Sequence, residues 1–136
     1  DRIAFSEVSE TKYISHTIKR VQKIKKILVA EDVDSNFVLI KNMIGKDYTL
    51  LWAKDGFEAV EMYKQFQPDL ILMDIKMPRM ATRIIRSYSK EIPVIALTAY
   101  AFEADKEQAL EAGCNDFVTK PVSKAALEEA LGKCSG

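Results

Sequence analysis

The chain has 136 residues, of which 48% are hydrophobic and 29% are charged, values typical of one globular domain with a substantial core. Its 20 basic and 20 acidic residues balance, so no overall field favours a nucleic acid or a membrane surface as a partner. No apolar run approaches the roughly 18 residues of a membrane span and no signal peptide is visible, which predicts a cytoplasmic domain.

Residues 1–25 are polar and mixed in character, and we predict that they form a linker or the tail of a preceding module. Apolar residues recur at helical spacing from Ile14 to Ile24, which indicates a short amphipathic helix over about residues 11–24. The chain opens abruptly at Asp1, so we expect it to be part of a longer protein.

Residues 26–134 alternate between apolar runs of strand length and segments with helical periodicity, which predicts one domain. Strands are predicted at residues 26–30, 48–53, 69–74, 92–98 and 116–119. Helices are predicted at residues 34–45, 59–66, 80–88, 103–112 and 123–132. We expect Asp34 or Ser35 to cap the first helix, Gly113 to end the fourth and Ser123 to cap the last.

This alternation of strands and helices defines an α/β fold class. Strands that are almost continuously apolar indicate a parallel sheet covered by helices on both faces. Because crossover connections are right-handed, the five predicted strands and five predicted helices form a doubly wound sheet. The flavodoxin-like strand order 2-1-3-4-5 is one of the two common solutions for such a sheet, and it is the order that we predict.

A single carboxylate, Asp74, ends the third predicted strand. An unpaired charge inside an apolar run costs several kcal/mol, so Asp74 is expected at the carboxyl edge of the sheet, where open α/β sheets bind ligands. The predicted strand order brings Glu31 and Asp32 to the same place. Three carboxylates suit a hard divalent ion, Mg²⁺ or Mn²⁺, whereas Cys114 and Cys134 lack metal-ligand spacing and are predicted to be free thiols.

A hydroxyl and an ammonium group are expected at the same edge. Thr98 ends the fourth predicted strand, and Lys120 follows the fifth. Carboxylates, a metal ion, a hydroxyl and an ammonium group together suit phosphoryl transfer, in which charge spreads over three equatorial oxygens. Asp74 is the available nucleophile, because an aspartyl phosphate is a known covalent intermediate.

The segments that carry these residues resemble the receiver domain of two-component response regulators, and the resemblance covers about residues 26–133. The segments are Ile27 to Asp32, Leu70 to Pro78, Val94 to Ala99 and Asp116 to Pro121. The resemblance implies that Asp74 accepts a phosphoryl group from a phosphohistidine in a Mg²⁺-dependent reaction, as a switch or relay. It also implies that Asp32, Asp74 and the backbone carbonyl of Lys76 ligate Mg²⁺ directly, and that Glu31 acts through water.

The resemblance assigns further roles around the acceptor. Thr98 and Lys120 are expected to bind phosphoryl oxygens, and the peptide bond from Lys120 to Pro121 is a candidate for the cis form. Thr98 and Phe117 are expected to form a switch, because Phe117 matches the aromatic residue that changes rotamer on activation in receivers.

Two residues beyond the acceptor and the threonine are expected to control access to the phosphate. Lys76 and Tyr100 should flank the path of the water that hydrolyses the aspartyl phosphate. A bulky tyrosine hinders water and a protonated lysine cannot act as a base, so we predict slow loss of phosphate. Packing of Tyr100 on the surface is the alternative.

One departure from the family pattern lies between Met80 and Ala81. Receivers usually place Asp-Gly and two further residues here, so about four residues, roughly one helical turn, are missing from the pattern. A true deletion would shorten the third helix and pull on the loop beside Asp74. We expect instead that the printed sequence omits a disordered loop, because Ile84 and Ile85 fit the usual helix once the gap is filled.

Two other classes of protein share part of this pattern. A haloacid dehalogenase-like phosphohydrolase is the main alternative, but it needs a second aspartate where this chain has Lys76. A flavodoxin would need a glycine- and hydroxyl-rich phosphate loop after the first strand, where Glu31 and Asp32 would repel phosphate.

The receiver resemblance also implies partners. A histidine kinase or a histidine phosphotransfer domain is the expected phosphodonor, and neither nucleic acid nor membrane is expected to contact this domain. We predict a hybrid sensor histidine kinase as the parent protein, with a stand-alone regulator as the alternative. The domain itself should catalyse its own phosphorylation and dephosphorylation.

Overall fold

The computed structural model describes residues 24–74, 79–99, 107–108 and 110–135. The predicted helix at 11–24 lies almost entirely outside these residues, and Lys76 and Tyr100 lie outside them as well. No helix in the described part of the chain is long and apolar enough to span a membrane.

Five strands form one parallel sheet. They are β1 (Lys26–Ala30), β2 (Thr49–Ala53), β3 (Leu70–Asp74), β4 (Val94–Thr98) and β5 (Asp116–Thr119). The strand order is β2-β1-β3-β4-β5, and every neighbouring pair is parallel. The predicted flavodoxin-like order is therefore confirmed.

Four helices have defined bounds. They are α1 (Asp34–Ile44), α2 (Gly56–Phe66), α3 (Arg79–Tyr88) and α4 (Lys124–Ser135). Residues 107, 108, 110 and 111, between β4 and β5, are also helical. Met80 and Ala81 are successive residues of α3, which is one continuous helix.

The helices cover both faces of the sheet. On one face, Ile40 and Ile44 of α1 and Leu127 and Leu131 of α4 pack against buried residues such as Ile27 of β1. The opposite face is covered by α2 and α3, whose buried residues pack with alternate positions of the same strands. Each fully buried Leu or Ile stabilises the fold by about 1.5–3 kcal/mol, so the two-sided core explains why these strands are almost uninterruptedly apolar.

The observed helix ends differ from the predicted cap of α1 and from the predicted end of the last helix, α4. The N-cap of α1 is Val33, which makes no side-chain capping bond, so the predicted cap at Asp34 or Ser35 is wrong because the helix already begins at Asp34. Ser123 does cap α4, with its Oγ accepting from the N–H of Ala126 at 3.2 Å. That helix continues past Gly132 to Ser135, because a helix tolerates an interior glycine at a cost of about 1 kcal/mol.

A junction around Arg86 joins α3 to the strands that follow it. The Nε of Arg86 donates to the Gly113 carbonyl at 2.8 Å, and Nη1 donates to the Ile92 carbonyl at 2.6 Å. Nη2 donates to Oδ1 of Asn115 at 2.7 Å. Gly113 has φ 108°, and a Cβ there would lie 2.9 Å from Cγ of Arg86. Gly113 is therefore required both by the backbone conformation and by the arginine that packs on it.

Candidate functional site

Three carboxylates meet at the carboxyl edge of the sheet. Because Ala30 pairs with Met73, Glu31 emerges from β1 beside Asp74, the last residue of β3. One carboxylate oxygen of each of Glu31, Asp32 and Asp74 lies within 4.8 Å of the others. The side chains of Glu31 and Asp74 are 0% and 1% exposed, whereas Asp32 is exposed to solvent. The cluster is thus an acidic pocket that opens on the side of Asp32.

Lys120 supplies the positive charge to this cluster. Its Nζ lies 2.8 Å from Oε1 of Glu31 and 3.1 Å from Oδ2 of Asp74, and the side chain is 14% exposed. The main-chain N–H of Lys120 donates to the Thr98 carbonyl at 2.6 Å, which ties the end of β5 to the end of β4. The peptide bond from Lys120 to Pro121 is cis, the form expected from the sequence.

Burial and charge pairing both act on the pKa values of Glu31 and Lys120. Burial decides the direction for Glu31, and pairing decides it for Lys120. Burial raises the pKa of Glu31, the lysine pair lowers it, and the neighbouring Asp74 raises it again, so the net direction is upward. Burial lowers the pKa of Lys120, but its pairs with Glu31 and Asp74 outweigh burial and raise the pKa overall. The raised pKa of Lys120 means that the folded site favours its ammonium form. The raised pKa of Glu31 means that the folded site disfavours its ionised form.

Thr98 and Phe117 lie on the neighbouring strands β4 and β5. Thr98 is the last residue of β4 and is buried, and Asp74 pairs with the residue before it, Leu97. Phe117 pairs with Ala96 and packs against the core cluster under α2 and α3. The structure therefore brings Thr98 to the acidic pocket and places Phe117 in the layer beneath it.

Trp52 is a part of the site that the sequence analysis missed. Its Nε1 donates to the main-chain carbonyl of Glu31 at 2.8 Å. Its ring stacks on Phe37 with the centroids 4.4 Å apart and an interplanar angle of 1°. The sequence signal that could have found it is the predicted pairing of the first two strands, since a partly buried indole N–H needs a nearby acceptor.

The arrangement fits a hard divalent cation. Within the part of the chain that the structure describes, the cluster offers oxygen ligands from three carboxylates, two of them buried, and Lys120 contacts two of the three. Ligand sets of this kind select Mg²⁺ or Mn²⁺ over softer metals.

Comparison with known proteins identifies the family. Residues 27–132 match the family described as "Response regulator receiver domain". The chain is 41% identical over 121 residues to hybrid signal transduction histidine kinase I of Dictyostelium discoideum. That match covers 79% of this chain but 7% of the kinase, so the chain corresponds to a small part of that protein.

Solved structures of receiver domains are similar to this fold. The receiver domain of a sensor histidine kinase from Pseudomonas aeruginosa, with a magnesium ion coordinated in its active-site cleft, has a TM-score of 0.76 and 36% identity, covering 82% of this chain and 98% of that one. The receiver domain of Ssk1 from Saccharomyces cerevisiae, crystallised with the histidine phosphotransfer protein Ypd1, has a TM-score of 0.76 and 30% identity, covering 82% and 89%. The chain belongs to the response regulator receiver family and is a receiver domain of two-component signalling.

The competing classes are not favoured by these results. The family match extends over all five strands, and the similar structures described above are receivers rather than phosphohydrolases or flavodoxins. The proposed roles of Lys76 and Tyr100 stay predictions, because both residues lie outside the described part of the chain.

Proposed function

We propose that Asp74 is the phosphoacceptor of this receiver and takes a phosphoryl group from a phosphohistidine. The observation that supports this most strongly is the position of its carboxylate. It is buried at a strand end, 3.1 Å from the Lys120 ammonium, and one of its oxygens lies within 4.8 Å of carboxylate oxygens of Glu31 and Asp32. A nucleophile placed among a cation and metal-binding oxygens is what phosphoryl transfer requires.

Asp32 and Asp74 would hold Mg²⁺ directly, together with the backbone carbonyl of Lys76, while Glu31 would act through water. The exposed side of Asp32 leaves room for the several waters that Mg²⁺ normally keeps. When bound, the ion neutralises the clustered carboxylates and the charge on the phosphoryl oxygens. Mn²⁺ has the same ligand preference, so it is expected to substitute.

The transfer is an in-line displacement at phosphorus. One carboxylate oxygen of Asp74 forms the new O–P bond as the N–P bond of the phosphohistidine breaks, and the departing imidazole nitrogen keeps the electron pair. Lys120 is positioned to donate to a phosphoryl oxygen, since its ammonium already lies at the carboxylate. The Thr98 hydroxyl is the second proposed donor and the first half of the switch, with Phe117 as the other half.

The donor is proposed to be a histidine kinase or a histidine phosphotransfer protein. Support comes from the Ssk1 receiver, which is crystallised with such a protein, and from similarity to a hybrid histidine kinase. We propose that residues 26–134 form the receiver unit, that residues 1–25 link it to a preceding module, and that it works in the cytoplasm as part of a hybrid sensor kinase.

Intact-mass spectrometry tests the acceptor assignment. Acetyl phosphate with Mg²⁺ should add one phosphoryl group to the wild-type protein and none to Asp74→Asn. Asp47→Asn is a matched control, because Asp47 is exposed, lies between α1 and β2 and is not a member of the carboxylate cluster. This control should be phosphorylated like the wild type. Equal phosphorylation of the Asp74→Asn variant would overturn the proposal.

A further inference from the structure

The main chain of Glu31 is held on both sides by β2. Its N–H donates to the Ala53 carbonyl at 3.0 Å, which extends the pairing of β1 and β2 one residue beyond the strand. Its carbonyl accepts the indole N–H of Trp52 at 2.8 Å. The indole N–H thus replaces the main-chain donor that β2 does not provide beyond its last paired residue. Both main-chain groups of Glu31 are therefore hydrogen-bonded where β1 ends.

The indole that makes this bond is itself held in place. Phe37 of α1 stacks on one side of the ring at 4.4 Å, and the Nζ of Lys54 lies 4.7 Å from the ring centroid. Stacked aromatic pairs contribute beyond their buried area, and a cation over a tryptophan ring adds a further attraction. Trp52 therefore has little freedom to rotate away from the Glu31 carbonyl.

The stacked pair spans the turn that carries two of the three carboxylates. Glu31 and Asp32 lie between the end of β1 and the start of α1, and Phe37 lies in the first turns of that helix. Trp52 binds the beginning of the turn through its N–H and the helix after the turn through its ring. The loop that carries the exposed Asp32 is thereby held at both of its ends.

We propose that Trp52 is a positioning residue for the metal-binding acids Glu31 and Asp32. The inference rests on the proposed Mg²⁺ site. Mg²⁺ demands near-ideal octahedral geometry, so its affinity depends on how well the ligand-bearing backbone is held. Loss of an outer partner of a metal ligand typically costs 10–100-fold in affinity, and the lower end is expected here because Trp52 acts through the main chain.

Trp52→Phe tests the role, because it removes the N–H donor and retains an aromatic ring to stack on Phe37. Its dissociation constant for Mg²⁺, measured from amide shifts in NMR titrations, should rise about 10-fold. The Mg²⁺ concentration that half-saturates phosphorylation by acetyl phosphate should rise by the same factor, while the rate at saturating Mg²⁺ stays near that of the wild type. Tyr88→Phe is the matched control, since it removes one polar group from an exposed aromatic residue of α3.

Phe37→Leu provides a second route to the same question, because it removes the stacking partner and leaves the indole donor. This variant should weaken Mg²⁺ binding by a smaller factor than Trp52→Phe does, because the indole N–H can still reach the Glu31 carbonyl. Mg²⁺ affinities within about two-fold of the wild type in both variants would overturn the role of Trp52. Absence of Mg²⁺ binding by the wild-type protein would instead overturn the metal site on which the inference rests.

Discussion

Glu31 is the residue whose burial is hardest to reconcile with stability alone. Its side chain is fully buried, it lies next to Asp74, and burial raises its pKa even though Lys120 contacts it at 2.8 Å. Among the described residues, Oε2 accepts the main-chain N–H of Val33 at 3.1 Å, and Oε1 has the ammonium contact but no hydrogen bond of good geometry. An acid kept in this position without stabilising the fold is expected to serve the metal site.

Replacing Glu31 by glutamine should stabilise the metal-free protein at neutral pH. Because the folded-state pKa is raised above 4.5, ionisation of Glu31 costs folding free energy as the pH rises through the window from 4.5 upwards. Below that window the carboxyl is protonated in both states, and the cost vanishes. Thermal unfolding without Mg²⁺ should therefore show an advantage of about 1 kcal/mol for Glu31→Gln at pH 7.

The pH dependence separates this effect from a general change in packing. The advantage of Glu31→Gln should disappear near pH 4, whereas a packing effect would persist at all pH values. Glu129→Gln is the control, because that side chain is 73% exposed and its loss should leave stability nearly unchanged. A glutamine variant that is less stable than the wild type at pH 7 would contradict the prediction.

At the scale of the elements, Arg86 is the connection between α3, β4 and β5. Its guanidinium binds the carbonyls of Gly113 and Ile92 and the side chain of Asn115. Asn115 in turn accepts from the N–H of Val94, the first residue of β4, at 2.8 Å. The Arg86 side chain therefore donates hydrogen bonds to acceptors in the loop after α3 and in the turn before β5, outside the pairing of the strands.

Arg86→Met should lower the free energy of unfolding by about 2–4 kcal/mol, because it leaves several acceptors without a donor. Arg86→Lys should lie between Arg86→Met and the wild type, since an ammonium cannot reproduce the planar fork. Urea unfolding measures the differences. Arg83→Met, an exposed position on the same helix, should stay within about 0.5 kcal/mol of the wild type. An equal loss of stability in the two methionine variants would contradict the stabilising role of the Arg86 hydrogen bonds.

At the scale of the whole molecule, β4 and β5 connect the acidic pocket to the β5 edge of the sheet. The Lys120 N–H binds the Thr98 carbonyl, and Phe117 lies three residues before Lys120 on β5. A phosphoryl group that draws Thr98 and Lys120 towards Asp74 would therefore act on both strands at once. Such a ligand shifts the protein between states only by its different affinity for each of them.

Beryllofluoride, a phosphoryl mimic, is expected to change the amide resonances of β5 around Phe117 as well as those next to Asp74. Thr98→Ala should retain the local changes near Asp74 and lose the distant ones, because it removes the hydroxyl that is proposed to couple them. Two-dimensional NMR with and without beryllofluoride and Mg²⁺ measures both sets. Changes restricted to the neighbours of Asp74 in the wild-type protein would argue against the switch.

The sequence by itself determined the sheet and the members of the acidic pocket. Parallel strands covered on both faces must be almost continuously apolar, so β1, β3 and β4 could be recognised from composition. The polar residues Glu31, Asp74, Thr98 and Lys120 end or follow β1, β3, β4 and β5, and the rule that ligands bind at strand carboxyl ends brought them together. Gly113 was also predictable, because a left-handed residue after a helix favours glycine.

The tertiary structure alone decided how those residues are held. The Trp52 bond to Glu31, the Arg86 junction and the Lys120 contacts link residues 21, 27 and 46 positions apart. Side-chain bonds over such distances leave no periodic pattern in the sequence, since any donor of the right length can reach once the strands are packed. The fold also decided where α1 begins: the helix starts at Asp34, so its N-cap position falls on Val33, whose side chain has no oxygen to accept from the first turn.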